Sequence, residues 1–140
     1  MKGRVFFDTN ILIYCFEYSD TRKQQVALTL VSQALDQGVG VISWQVIQEF
    51  YNVALHKFKM PLSVRALQSL TSEFLYPMCS VFPTKAVWEE ALLLQQQTQY
   101  RYFDSLILAS ALMSGAETLY SEDLQDGRQI GGLTIQNPFN

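Results

Sequence analysis

Short apolar segments alternate with longer amphipathic segments along this chain, and this alternation restricts the fold more than any other feature. The short segments are residues 4–7, 40–43, 79–82, 118–120 and 133–135. A strand that is apolar at successive positions needs cover on both faces, and strands separated by helices pair in parallel. The sequence therefore predicts the α/β class, as a three-layer α/β/α sandwich with a short, mostly parallel central sheet.

The intervening segments carry apolar residues at helical spacing. Helices are predicted over residues 10–17, 20–37, 43 to the break at Pro61, 62–75, 84–99 and 102–113. Gly38 is expected to end the second helix, and Ser43 is placed to cap the third. The last helix is apolar nearly all round, which predicts that it is buried in the core.

Length and composition indicate one globular domain over residues 1–140. Hydrophobic residues make up 49% of the chain and charged residues 16%, which argues against a long disordered tail. The net charge of -3 argues against a protein that coats nucleic acid through a bulk positive field. Cys15 and Cys79 lack the spacing of a zinc site or a redox pair, so we expect both to be buried thiols in a reducing compartment.

The amino terminus does not have the pattern of a signal peptide, because Asp8 and Glu17 interrupt its apolar run. No segment reaches the length of a transmembrane helix. The expectation from these features is a cytoplasmic protein with no membrane partner.

Four acidic residues lie where an alternating fold turns them toward one place. Asp8 closes the first strand, and Asp123 follows the fourth strand in what is predicted to be the same structural position. Glu49 lies on the helix after the second strand, and Asp104 begins the most apolar helix. Ligands of open parallel sheets bind outside the carboxyl ends of the strands, so this position favours a functional site.

Each acid also has an ordinary explanation. Asp104 and Asp123 fit the role of plain helix caps, which is the commoner use of an aspartate after a strand. Glu49 fits a solvated helix flank. Asp8 is harder to explain in this way, because Thr9 or Asn10 is able to cap the helix that follows. The coincidence of all four residues is what supports a shared site.

Electrostatics indicates what a cluster of these acids is for. Two unpaired carboxylates about 4 Å apart near a protein surface repel each other by roughly 4 kcal/mol. The sequence places no obvious counter-charge beside Asp8, Glu49 or Asp123. Oxygen-only ligation suits Mg²⁺ or Mn²⁺, which retain sites for water and substrate phosphate. The chemistry implied is metal-assisted hydrolysis at phosphorus.

The same residues belong to motifs that follow one another along nearly the whole chain. These motifs are residues 6–14 (FFDTNILIY), Ser43 with residues 48–50 (QEF), residues 103–111 (FDSLILASA), residues 119–124 (LYSEDL) and residues 131–139 (GGLTIQNPF). In their order and spacing they resemble PIN-domain ribonucleases, and within that family the VapC-type toxins of bacterial toxin–antitoxin pairs.

This resemblance implies functional roles for particular residues. It identifies Asp8, Glu49, Asp104 and Asp123 as the catalytic, metal-binding acids, with Asn10 and Ser121 at supporting positions. It further implies an Mg²⁺- or Mn²⁺-dependent endoribonuclease with an RNA substrate, a homodimer, and a cognate antitoxin protein that places a basic side chain in the acidic site. Candidates for contact with the RNA backbone are Arg22, Lys23, Lys57, Lys59, Arg65 and Arg101.

Two other functional hypotheses remain open. A non-catalytic module could use the same fold to bind protein or RNA. A haloacid-dehalogenase-like phosphatase also places an aspartate after its first strand, but Asn10 stands where that class needs a second acid. His56 is the sole histidine, which excludes a mechanism with two imidazoles, and no nucleophile elbow supports a serine–histidine–acid triad.

Overall fold

A computed structural model describes residues 1 and 3–140 of the chain. Its strands are β1 (Arg4–Phe7), β2 (Gly40–Ser43), β3 (Cys79–Val81), β4 (Ala116–Tyr120), β5 (Gln129–Ile130) and β6 (Leu133–Gln136). They form one six-stranded sheet in the order β3-β2-β1-β4-β6-β5. Neighbouring strands are parallel except for the last pair, in which β5 runs antiparallel to β6.

Helices connect these strands. They are α1 (Thr9–Phe16), α2 (Thr21–Gln37), α3 (Trp44–His56), α4 (Val64–Leu70), α5 (Tyr76–Met78), α6 (Lys85–Thr98) and α7 (Tyr102–Met113). A π-helical turn over Thr71–Leu75 joins α4 to α5. Among the described residues, no helix is long and apolar enough to cross a membrane.

The central sheet is covered on both faces. Phe6 and Phe7 are adjacent on β1 and therefore point to opposite faces, yet both are completely buried. Residues 105–111 of α7 are also buried, as expected for a helix that is apolar nearly all round. The predicted α/β class, with a mostly parallel central sheet flanked by helices, is confirmed.

Two predicted helices were wrong in their limits, and one strand was missed. Helix α3 ends at His56 and does not reach Pro61, because the loop doubles back and the Leu62 N–H donates to the Ala54 carbonyl at 3.0 Å. The helix expected over residues 62–75 begins at Val64 and continues to Met78 through the π-helical turn; Pro77, in α5, has no N–H to donate to the helical ladder. Strand β5 was not predicted, since two residues are too few to show an alternating pattern.

The order of the strands creates a crevice at one edge of the sheet. Strand β1 lies between β2 and β4, so the chain leaves the carboxyl end of β1 toward one side and returns on the other. Ligands of doubly wound sheets bind at such a point of reversal. The loops and helices that follow β1, β2 and β4 therefore surround one place.

Candidate active site

All four predicted acids line a single cleft at the carboxyl edge of the sheet. Asp8 follows β1, Glu49 lies on α3, Asp104 lies in the first turn of α7, and Asp123 lies in the loop after β4. The cleft has a volume of about 350 Å³ and is open to solvent. Side chains more than 110 positions apart in the sequence therefore share one pocket.

Asp8 is the most buried of these acids. It is the N-cap of α1, where its Oδ1 accepts a hydrogen bond from the Thr9 backbone N–H at 2.7 Å. Its Oδ2 accepts from the Ser121 hydroxyl, also at 2.7 Å. Burial raises the pKa of Asp8 from 3.8 to about 6; the charges of Glu49 and Asp123 add to the rise, and the two hydrogen bonds oppose it.

The residue opposite Asp8 on the neighbouring strand is Ser121, and the prediction that Asp123 holds the equivalent position was wrong. Phe7 on β1 pairs with Tyr120 on β4, and the Asp8 N–H donates to the Tyr120 carbonyl at 3.0 Å. Asp8 therefore directly follows β1, and Ser121 directly follows the paired end of β4. Asp123 lies two residues further on, in the loop, with an exposed side chain.

Asn10 attaches this loop to α1. Its amide Nδ2 donates to Asp123 Oδ2 at 3.0 Å, and its Oδ1 accepts from the Glu122 backbone N–H at 3.3 Å. The Asp123 N–H in turn donates to the Ser121 hydroxyl at 3.2 Å. No helix follows β4 among the described residues, so the interpretation of Asp123 as a helix cap was wrong.

A second set of contacts holds the same loop against α1 and α2. Glu122 forms an ion pair with Lys23, at 2.9 Å between Oε2 and Nζ, and its Oε1 accepts from the Tyr14 hydroxyl at 3.0 Å. The ammonium group also lies 5.0 Å from the centre of the Tyr14 ring. Lys23 was a candidate for contact with RNA, but its ammonium group is paired with Glu122 of this loop.

Asp104 is the third residue of α7, where the free backbone N–H groups of the helix end favour a carboxylate. The N-cap position itself is occupied by Arg101, so the interpretation of Asp104 as the cap was wrong. Burial raises the pKa of Asp104 above its ordinary value; the Asp123 carboxylate adds to the rise, and Arg101 opposes it.

Glu49 is oriented by two residues that sequence reasoning missed. Its Oε1 accepts from the Thr9 hydroxyl, and its Oε2 accepts from Gln45 Nε2 at 3.4 Å. The same Nε2 donates to the Phe103 carbonyl oxygen at 3.2 Å. One sequence signal was present, because Gln45 lies one helical turn before Glu49 and so shares its face of α3.

Two buried polar atoms near the start of α3 have no hydrogen-bond partner in the part of the chain that the structure describes: Ser43 Oγ and Gln45 Oε1. Ser43 is the N-cap residue of α3 by backbone geometry, but the expected side-chain cap is not formed. A buried acceptor without a partner costs about 1–3 kcal/mol. Neither arrangement is therefore explained by a gain in stability.

The charge of the cleft is not neutralised by ion pairs. Within residues 1 and 3–140, the ion pairs are Lys23–Glu122 and Lys85–Glu89, and neither involves an acid of the cleft. Of the candidate RNA-binding cations, Lys57 lines the cleft, at the end of α3. The site therefore concentrates negative charge in a partly buried place. Burial is the main cause of the raised pKa of Asp8 and of Asp104, and the neighbouring carboxylates add to the rise.

The donor set fits a hard divalent cation, although the described residues contain no group of three or more acids, cysteines or histidines close enough to enclose one. Mg²⁺ usually keeps several waters and is held by one or two carboxylates together with substrate phosphates. A cleft lined by carboxylates meets that requirement without a closed cage. The residues that could hold the ion are the four acids.

Comparisons with known proteins identify the family and the fold of the chain. A family model described as PIN domain matches residues 5–126. A solved toxin–antitoxin complex from Klebsiella pneumoniae is 23% identical with a TM-score of 0.65, covering 96% of this chain and 97% of that chain. VapBC-1 from nontypeable Haemophilus influenzae is 20% identical with a TM-score of 0.60, covering 97% and 98%.

A third solved structure is VapC20 from Mycobacterium tuberculosis, described as a toxin that cleaves the sarcin–ricin loop. It is 18% identical with a TM-score of 0.59, covering 85% of this chain and 89% of that chain. No curated protein sequence matches the chain. At these identities the solved structures establish a shared fold.

Proposed function

Because the chain belongs to the PIN-domain family, we propose that it is a metal-dependent endoribonuclease and the toxin of a VapBC-type toxin–antitoxin module. The observation that carries the proposal is the cleft at the carboxyl edge of the sheet, which four acids line without an ion-pair partner in the described chain. A nuclease of this class is also consistent with the structural neighbour VapC20, which is described as a sarcin–ricin loop cleaving toxin.

In this proposal Asp8, Glu49, Asp104 and Asp123 hold Mg²⁺ or Mn²⁺. When bound, the metal would supply an activated water and would stabilise the charge on the departing oxygen of the phosphodiester. Asn10 and Ser121 are positioning residues, since Asn10 fixes the Asp123 carboxylate and Ser121 contacts both Asp8 and the Asp123 backbone. Without the ion, the carboxylates of the cleft would repel an anionic substrate.

The rim of the cleft offers contacts for RNA beside the acids. Phe103 lines the cleft and has 66% of its surface exposed, so its ring is available to stack on an unpaired base. Tyr102 packs edge-on against it, with ring centres 5.6 Å apart. Lys57 supplies a positive charge for a flanking phosphate.

Metal-dependent cleavage is the direct test of the proposal. Purified protein is expected to cleave RNA that contains unpaired loops when Mg²⁺ or Mn²⁺ is present, to stop when EDTA is added, and to resume when Mn²⁺ is restored in excess. Products resolved on a sequencing gel measure the outcome. Cleavage that continues in EDTA contradicts the metal assignment, and RNA binding without turnover supports the alternative of a non-catalytic binding module.

The antitoxin partner is part of the same proposal. An apolar groove of about 190 Å³ lies between α1, α2 and the π-helical turn, and it includes the exposed side chains of Leu28 and Phe74. A groove of this kind accepts the apolar face of a partner helix. An arginine of the partner that enters the acidic cleft would displace metal and form paired hydrogen bonds with carboxylates.

We further propose a homodimer, in which exposed apolar side chains are covered. Trp88 and Leu92 lie one turn apart on α6 with exposed fractions of 48% and 57%. Tyr76 and Phe82 are also exposed and pack together, with ring centres 6.2 Å apart. Sedimentation equilibrium is expected to give twice the chain mass of 16.0 kDa. A mass of one chain at micromolar concentration contradicts the dimer.

A further inference from the structure

The side-chain amide of Gln45 contacts one of the acids and the backbone next to another. The residue is 6% exposed, and its Nε2 donates to Glu49 Oε2 at 3.4 Å and to the Phe103 carbonyl oxygen at 3.2 Å. Phe103 immediately precedes Asp104 at the start of α7. The amide therefore links the Glu49 carboxylate on α3 to the backbone that carries Asp104.

The orientation of this amide follows from its neighbours. If the group were turned over, Oε1 would face a carboxylate oxygen and a carbonyl oxygen, and three acceptors would repel one another. In the orientation observed, both contacts are made, but Oε1 is left buried without a partner in the described chain. Glu49 and Phe103 each receive a hydrogen bond, while the amide oxygen of Gln45 receives none from the described residues.

From this geometry we infer that Gln45 is a positioning residue for the metal site, an inference that rests on the proposed function. Glu49 receives one hydrogen bond from Thr9 on α1 and one from Gln45, so neither carboxylate oxygen turns freely. Because Gln45 also holds the start of α7, it sets the position of Glu49 relative to Asp104. A divalent ion shared by these two acids requires that their separation be held constant.

The test compares Gln45→Met with the wild-type chain. Methionine has nearly the same length and volume, but it lacks the amide donors and leaves no orphaned amide oxygen. We expect Mn²⁺, titrated without RNA and followed by calorimetry, to bind about 10-fold more weakly, as is common when a partner of a metal ligand is lost. The melting temperature in EDTA is expected to stay the same or rise.

Gln48→Met is the matched control, because Gln48 is exposed on the same helix. It is expected to leave both the Mn²⁺ affinity and the melting temperature unchanged. If Gln45→Met does not fold, the smaller Gln45→Leu replaces it in the same titration.

The two ways of failing are distinguishable. Wild-type and Gln45→Met chains that bind Mn²⁺ equally well overturn the positioning role and leave the proposed nuclease intact. A lower melting temperature with unchanged Mn²⁺ affinity also overturns it, since Gln45 would then serve only the fold. A wild-type chain that binds no Mn²⁺ overturns the proposed metal site, and this inference with it.

Discussion

Asp8→Asn is expected to lower RNA cleavage by more than about a thousand-fold while leaving the fold as stable as before or more so. Metal-ion stabilisation of a reacting phosphoryl group contributes several kcal/mol, and each 1.36 kcal/mol corresponds to about a factor of ten in rate. Asp8 is the acid that closes the central strand, and it is the most buried of the four. Single-turnover cleavage with saturating Mn²⁺ measures the loss.

The stability of this variant follows from the contacts of Asp8. The asparagine Oδ1 still accepts from the Thr9 N–H, and its amide can donate to the Ser121 hydroxyl, which already accepts from the Asp123 N–H. The variant also removes a charge that burial disfavours. Asp36→Asn serves as the matched control, since Asp36 is exposed on α2. Full cleavage by Asp8→Asn would remove this acid from the metal site.

The second large effect is a loss of stability as the pH rises. The folded pKa of Asp8 is raised to about 6 from 3.8, so between these values the folded chain binds more protons than the unfolded chain. The contribution of Asp8 to stability is therefore fully present below pH 3.8, is lost as the pH rises through 6, and levels off about one pH unit above that value. The shift corresponds to about 3 kcal/mol of unfolding free energy, at 1.36 kcal/mol for each pKa unit.

Urea denaturation in EDTA at several pH values between 4 and 7 measures this effect. The titration of other groups cancels when the unfolding free energy of the wild type is subtracted from that of Asp8→Asn. These groups include Asp104, whose raised pKa acts in the same direction. We expect the stability of Asp8→Asn relative to the wild type to rise by about 2 kcal/mol from pH 4 to pH 7, because part of the full effect is already present at pH 4. A difference that does not vary with pH would show that Asp8 ionises normally in the folded chain.

Added metal is expected to reverse the penalty at pH 7. A ligand that binds only the folded state stabilises it in proportion to the logarithm of its concentration. Mn²⁺ should therefore raise the melting temperature of the wild type, and much less that of Asp8→Asn. The same titration therefore tests whether the buried carboxylate of Asp8 binds the metal.

Local patterns were sufficient to predict the class of fold and the general place of the acids. The strands at 4–7 and 118–120 carry apolar residues at successive positions, which indicates a sheet buried on both faces, because adjacent strand residues point to opposite sides. An aspartate directly after such a strand must lie at the carboxyl edge, whatever the order of the strands. For this reason Asp8 was placed correctly without knowledge of its neighbours.

The details of the cleft depended on which strands and helices became neighbours in the fold. The pairing of Phe7 with Tyr120 puts Ser121 beside Asp8, and the packing of α3 against the start of α7 brings Gln45 to the Phe103 carbonyl. No periodicity in the chain encodes contacts between residues 58 or 113 positions apart. Register and helix docking are set by the collective fit of buried side chains, and so they became visible in the folded chain alone.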